Sequence, residues 1–231
     1  MNLQKDKFYS IIAHDLRGPF SGFLGLTELM AEDIDDMSNE EIKFAASNMR
    51  SSAKNLFNLL ENLLEWTRME QNSVPFEPKE YPLKSAVLDS IITFHSITEQ
   101  KEITIHTEIP SNLVIFSDKN MFQAVIRNIV LNAIKFTPKK GTIHIHALEN
   151  PENITITIKD SGIGMHQDLI DDLFKIDTKN NRVGTENEPS TGLGLILCKE
   201  FVEKHKGQIW AESEEGKGST FHISFPKKQD A

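Results

Sequence analysis

The chain has 231 residues, with 25 Lys and Arg against 34 Asp and Glu for a formal net charge of −9, and 39% of its residues are hydrophobic. This length and apolar content suit one large or two modest globular domains and exclude a disordered tail. The acidic balance and dispersed basic residues argue against a nucleic-acid partner, and the lone Cys198, set in the apolar run Leu195 to Leu197, excludes an internal disulfide and reads as core.

No apolar run reaches the roughly 18 residues of a membrane span, and Met1 to Lys7 lacks the apolar core of a signal peptide, so no direct membrane insertion is expected. From Lys7 to Arg68 apolar residues recur at helical spacing: Phe8, Ile11, Ile12, Phe23, Leu26, Leu29 and Met30, then Leu56, Leu59, Leu60, Leu63 and Leu64. Two long helices are predicted. The break runs from Asp33 to Glu41, where Ser38 followed by Glu41 forms a capping-box start for the second helix. A lone helical hairpin leaves an apolar seam, and pairing with a second copy into a four-helix bundle covers it, which predicts a homodimer.

In the first helix His14 lies roughly 150° from the centre of the apolar face at about 100° per residue, so it is expected in water beside Asp15. Gly18-Pro19 then interrupts the pattern. A mid-helix proline is disfavoured by roughly 3 kcal/mol, which predicts a kink and local deformability next to the His-Asp pair.

Residues 73–79, with Pro75 and Pro78, read as a linker between a first domain, 1–72, and a second, 80–231. In the second domain Ile103 to His106, Gly141 to Leu148, Ile154 to Lys159, Gly207 to Glu212 and Ser219 to Phe225 read as strands. Leu83 to Glu99, Lys119 to Phe136 and Gly192 to His205 read as helices, giving an α/β sandwich. The strands around Ile143 and Ile156 are predicted to be antiparallel neighbours with one face covered. The whole chain is thus α+β. His144 and His146 read as exposed strand residues, and Trp66 and Trp210 as packing residues.

Four segments follow in order: Asn128 to Thr137 with Asn132 one turn beyond Asn128; Asp160-Ser161-Gly162-Ile163-Gly164; Thr191-Gly192-Leu193-Gly194-Leu195; and Gly216-Lys217-Gly218-Ser219-Thr220-Phe221. There is no P-loop signature. With Phe8 to Pro19 upstream, the set resembles the phosphoacceptor box and the N, G1, G2 and G3 boxes of sensor histidine kinases. The resemblance implies an ATP-binding second domain and His14 as phosphoacceptor, with Asp15 as general base or ring orienter.

Asn128 and Asn132 project from one helix face and would hold Mg²⁺ on ATP phosphates; Lys135 would reach the phosphates, and Phe136 would cover the purine. Asp160 would accept the adenine amino hydrogens, with Gly162 and Gly164 letting backbone approach the base. Thr191, Gly192, Leu193 and Gly194 would open a helix onto the triphosphate, and Thr220 belongs to the last nucleotide box. Ile176 to Ser190, polar and irregular, reads as a lid. Asn128 cannot take a proton, which favours transfer to a side chain over hydrolysis.

The implied function is ATP-dependent phosphorylation of His14, then transfer to an aspartate of a response-regulator receiver. The chain is expected in the cytoplasm, alone or as the cytoplasmic part of a longer membrane-bound sensor. Two alternatives stand beside it: an ATP-binding dimeric pseudokinase scaffold, or a related ATPase or Ser/Thr kinase of the same nucleotide fold. Three positions depart from the family pattern. Only Phe174 precedes the lid where two phenylalanines are common, Ser190 replaces a glycine, and Gly18 replaces a threonine, asparagine or serine.

Overall fold

A computed structural model describes residues 3–70, 75–175, 184–186 and 193–227, with the side chains of 3–15, of 193 and of several residues near the end of the second helix outside that description. The chain divides into two compact units, Met1–Val74 and Pro75–Ala231. Among the described residues no helix is long and apolar enough to cross a membrane.

The first unit is a hairpin of α1 (Leu3–Asp33) and α2 (Asn39–Glu70). The Ser38 and Glu41 side chains set where α2 begins. The Ser38 N–H and Oγ both donate to Glu41 Oε2, at 2.8 and 2.7 Å, while Glu41 N–H reaches Ser38 Oγ at 3.3 Å, the expected capping box. These bonds, the backbone one first, hold the Glu41 carboxyl below its ordinary range. On α2 the shielded positions Ile42, Ala45, Met49, Ser52, Leu56, Leu59 and Leu63 keep a strict heptad rhythm, and Ala45 and Leu59 are fully buried. They face Leu16, Pro19, Phe23, Leu26 and Met30 of α1. The helix runs through Pro19 without ending, although that residue brings no N–H for the carbonyl one turn back.

In the second unit a five-stranded sheet has the order β2-β4-β5-β7-β6, formed by β2 (Thr104–Glu108), β4 (Thr142–Glu149), β5 (Asn153–Asp160), β6 (Gln208–Glu214) and β7 (Gly218–Pro226). Only β2 and β4 are parallel; β4 and β5 pair antiparallel as expected, with Ile145 opposite Ile158. Alternation puts Ile143, Ile145, Ile154, Ile156, Ile158, Phe221, Ile223 and Phe225 on one buried face. The helices α3 (Leu83–Ile91), α5 (Lys119–Phe136) and α7 (Leu193–Lys204) form the second layer, and Cys198 of α7 is buried as expected.

Three features differ from the sequence expectation. The span Leu83 to Glu99 is not one helix: α3 passes through a short 3₁₀ turn, Ile92–Phe94, into α4 (His95–Gln100). A separate two-stranded sheet pairs β1 (Lys79–Pro82) with β3 (Val114–Ser117), and a short α6 (Gln167–Asp172) follows β5. Trp210, expected as a packing residue, lies on the open face of the sheet, 37% exposed and stacked on His222 with ring centroids 4.8 Å apart. His144 is exposed as expected and stacks on His106 at 4.7 Å. The side chain of Trp66 is outside the described part.

Candidate functional site

Asp118 fixes the start of α5. Its Oδ1 accepts the N–H groups of Asn120 and Met121 at 3.0 and 3.1 Å, and its Oδ2 accepts Glu77 N–H at 3.0 Å, which attaches residue 77 to the second unit. From that cap, α5 buries Phe122, Val125, Ile126, Ile129, Val130, Ala133 and Ile134 against the sheet and α7, leaving Asn128 and Asn132 half-buried on another face. Asn128 Nδ2 donates to Ala124 O at 3.1 Å, so its Oδ1 is the atom turned away from the helix. A Cβ on Gly194, in the first turn of α7, would lie 2.6 Å from that oxygen. A side chain at 194 would have to displace the Asn128 amide, so this close approach joins the first and third of the four segments.

The far end of α5 meets the second box. Phe136 O accepts Ile163 N–H at 3.1 Å, and a Cβ on Gly162 would come within 2.5 Å of the same carbonyl. Lys135 is 8% exposed, with its Nζ 5.3 Å from the centroid of the Phe136 ring.

Asp160 ends β5 at 3% exposure, and its Oδ1 accepts both Gly162 N–H at 2.8 Å and Ser219 N–H at 3.1 Å. Burial pushes the carboxyl up to about 6, against the opposing pull of those two bonds. Gly164 has φ +64 and Gly218 φ +96, and a Cβ on either would lie 2.0 Å from a carbonyl oxygen, that of Glu214 or of Asp160. The backbone is therefore folded tightly beside the Asp160 carboxylate, whose Oδ1 takes the N–H bonds of both Gly162 and Ser219.

The structure thus gathers Asn128 with Gly194, and Phe136, Asp160, Gly162 and Gly164 around the end of α5. From the last segment it is the Ser219 N–H that reaches Asp160. Phe221 is buried in the core, so β7 alternation turns Thr220 to the opposite face and Ser219 to the Asp160 side. His14 and Asp15 lie in α1, and their side chains, with the expected exposure of His14, are outside the description. Thr191 and Gly192 are also outside the described residues, as is the expected lid apart from 184–186; Leu193 is the first residue of α7, described in its backbone only.

The chain matches two family models: the His Kinase A (phospho-acceptor) domain over residues 4–72, and the histidine kinase-, DNA gyrase B-, and HSP90-like ATPase over residues 117–229. It is 32% identical over 224 residues to sensor histidine kinase TmoS of Ectopseudomonas mendocina, covering 96% of this chain and 23% of that one. To adaptive-response sensory kinase SasA of Synechococcus elongatus it is 30% identical over 232 residues, covering 96% of this chain and 59% of the relative. It therefore spans only part of these relatives. In fold it is similar to the Acinetobacter baumannii histidine kinase AdeS, with TM-score 0.74 at 20% identity over 94% of this chain and 98% of that one. It is also similar to histidine kinase ThkA, solved in complex with response regulator protein TrrA, with TM-score 0.74 at 21% identity over 95% and 61%.

Proposed function

Because the chain belongs to the sensor histidine kinases and carries their phosphoacceptor and ATP-binding domains, we propose that it is an ATP-dependent autokinase working on its own His14. Residues 1–72 present the histidine, and 80–231 bind the nucleotide. The observation that carries the reading is Asp160: a buried carboxylate at a strand end, one oxygen occupied by two backbone N–H groups and the other left to accept hydrogens from the adenine amine. Phe136, whose carbonyl accepts Ile163 N–H, and the Gly162 turn would bound the adenine beside it.

The phosphates would extend toward the start of α7, where Thr191, Gly192, Leu193 and Gly194 offer N–H groups. The outward Oδ1 of Asn128 and the amide of Asn132 would hold Mg²⁺ there. Two neutral amides suit an ion that keeps waters and takes its remaining ligands from phosphate oxygens, and it would neutralise charge on the transferring group. The lone-pair nitrogen of neutral His14 attacks the γ-phosphorus, the bond to the bridging oxygen breaks, and ADP leaves. The other ring nitrogen gives its proton to Asp15. Asn128, an amide, leaves no base on α5 to activate water, consistent with transfer to a side chain.

The phosphoryl group then passes from His14 to an aspartate of a response-regulator receiver, in the cytoplasm where ATP is supplied; a relative solved with such a regulator supports this acceptor. The acting species is a homodimer through the hairpin. The test is incubation of the purified chain with γ-labelled ATP. Acid-labile, base-stable label should appear on the wild type and be absent from His14→Gln, which should still bind ATP. Label persisting on His14→Gln would exclude this phosphoacceptor.

A further inference from the structure

Lys101, in the turn between α4 and β2, is 1% exposed. An ammonium is held at such depth only where its protons meet acceptors. Its Nζ donates to Ile134 O at 2.9 Å, Lys135 O at 3.3 Å and Thr185 Oγ1 at 2.8 Å. The two carbonyls belong to the last turn of α5, where the helix dipole also favours a cation. Thr185 is fastened to the same turn. Its N–H donates to Lys135 O at 3.0 Å, and its hydroxyl has Lys135 O and Thr137 O at 3.0 and 3.2 Å as acceptors. Lys101 O accepts Lys140 N–H at 2.9 Å, and Lys139 pairs with Glu186 at 3.3 Å. Three distant segments, at 101, 134–140 and 184–186, therefore meet around one amino group.

Capping α5 would need only the two carbonyls. The third bond reaches a residue 84 positions away, in the segment that shortly precedes α7 and its phosphate-facing turn. Lys135 and Phe136 occupy the turn to which that segment is tied. We propose that Lys101 is a positioning residue for the nucleotide: its ammonium locks Thr185 onto the end of α5 and so holds Lys135 and Phe136 in place for ATP. The proposal rests on the nucleotide-site reading given above.

The test compares the wild type with Lys101→Met, which keeps most of the volume and loses the charge, with Thr185→Val, which loses only the hydroxyl, and with Thr185→Ser, which keeps it. Three quantities are read: hydrogen exchange at the Thr185 amide without nucleotide, calorimetric affinity for a non-hydrolysable ATP analogue, and the split of autophosphorylation into KM and kcat. Lys101→Met and Thr185→Val should each speed exchange at Thr185. Each should also weaken ATP binding and raise KM about tenfold, the scale of one charge-assisted hydrogen bond, with kcat near the wild-type value. Thr185→Ser should match the wild type, and the double variant should be no weaker than the worse single one. If Lys101→Met does not fold, the Thr185 pair decides alone. Wild-type exchange and affinity in folded Thr185→Val would overturn the proposal and leave the nucleotide site standing, whereas a wild-type chain without ATP affinity would overturn both.

Discussion

Asp160 is 3% exposed, and in the role proposed for it the ionised carboxylate is the stronger acceptor for an adenine amine. Burial has lifted its carboxyl from 3.8 to about 6, so near pH 7 the group is charged, and the charge is held at a cost. Two consequences follow in opposite directions. Nucleotide binding favours the ionised form, so ATP affinity should be level above about pH 7 and fall as pH drops through 6, by up to about tenfold per pH unit. Asp160→Asn should bind ATP at least about tenfold more weakly at pH 7.5 and lack that component of the pH dependence; calorimetry of both proteins from pH 5 to 8 cancels the titration of ATP itself. In the nucleotide-free state the sign reverses. A carboxyl whose folded pKa is raised adds stability below its unfolded value and loses it as pH rises through about 6. Asn keeps the oxygen that accepts from Gly162 and Ser219, so Asp160→Asn should be the more stable protein at pH 7.5, on the order of 2 kcal/mol, with the gap closing toward pH 4. A variant that destabilises equally at both pH values would show that burial is not what lifts the carboxyl.

His205 joins two elements as Asp160 joins two boxes. Lying just beyond α7 and 1% exposed, it accepts Asp118 N–H at Nε2 (2.8 Å), while its Nδ1–H faces Phe201 O (2.6 Å), which requires a neutral ring. Burial, ahead of any neighbouring charge, lowers its pKa below 6.5. Its contribution to stability is therefore present above pH 6.5 and lost as pH falls below it, opposite in sign to that of Asp160. Urea unfolding of His205→Gln should lack this acid-side loss; a wild-type slope in the variant would remove His205 as its source. On α1, a Cβ at Gly18 meets no heavy atom within 4 Å, so Gly18→Ala should raise the thermal midpoint of the first unit, by about 1 kcal/mol of helix propensity. A lowered midpoint would mean that Gly18 serves packing against a neighbour. Long elements with sustained periodicity, α1, α2, α5, α7 and the strands β4 to β7, were legible because their own side chains repeat the burial pattern. The four-residue β1 and β3 were not, since each exists through pairing with the other, Glu80 opposite Phe116, and β1 carries Pro82. Within the candidate site, Asn128 and the Gly162 and Gly164 turns could be read from local spacing. Lys101 could not, because its partners lie 33 to 84 positions away and an isolated lysine ordinarily signals a solvated surface.

At the scale of the whole molecule, one flank of the hairpin carries a run of uncovered apolar side chains from both helices. Phe20 and Leu24 of α1 are 53% and 44% exposed, and Phe57, Leu60 and Leu64 of α2 are 60%, 48% and 40% exposed. Each lies one position after a shielded heptad residue, Pro19, Phe23, Leu56, Leu59 or Leu63, and is thus turned by about 100° from the intramolecular seam. Because the rotation has the same sense about each helix and the helices run antiparallel, both stripes emerge on one side of the hairpin. Three aliphatic and two aromatic side chains on a common flank form a patch that a second copy, meeting it about a twofold axis, would cover on both molecules at once. Heptad spacing on both helices matches the knobs-into-holes packing of a four-helix bundle. The chain should therefore sediment as a dimer at micromolar concentration, and Leu24→Glu with Leu60→Glu should sediment as a monomer, since four buried carboxylates would face one another without partners. Each substituted position is well exposed in the single chain, so the effect falls on association. ATP affinity per chain should match the wild type in the double variant, because the nucleotide residues all belong to the other unit. A double variant that remains dimeric would place the contact on another surface, and a monomeric wild type would remove the bundle altogether.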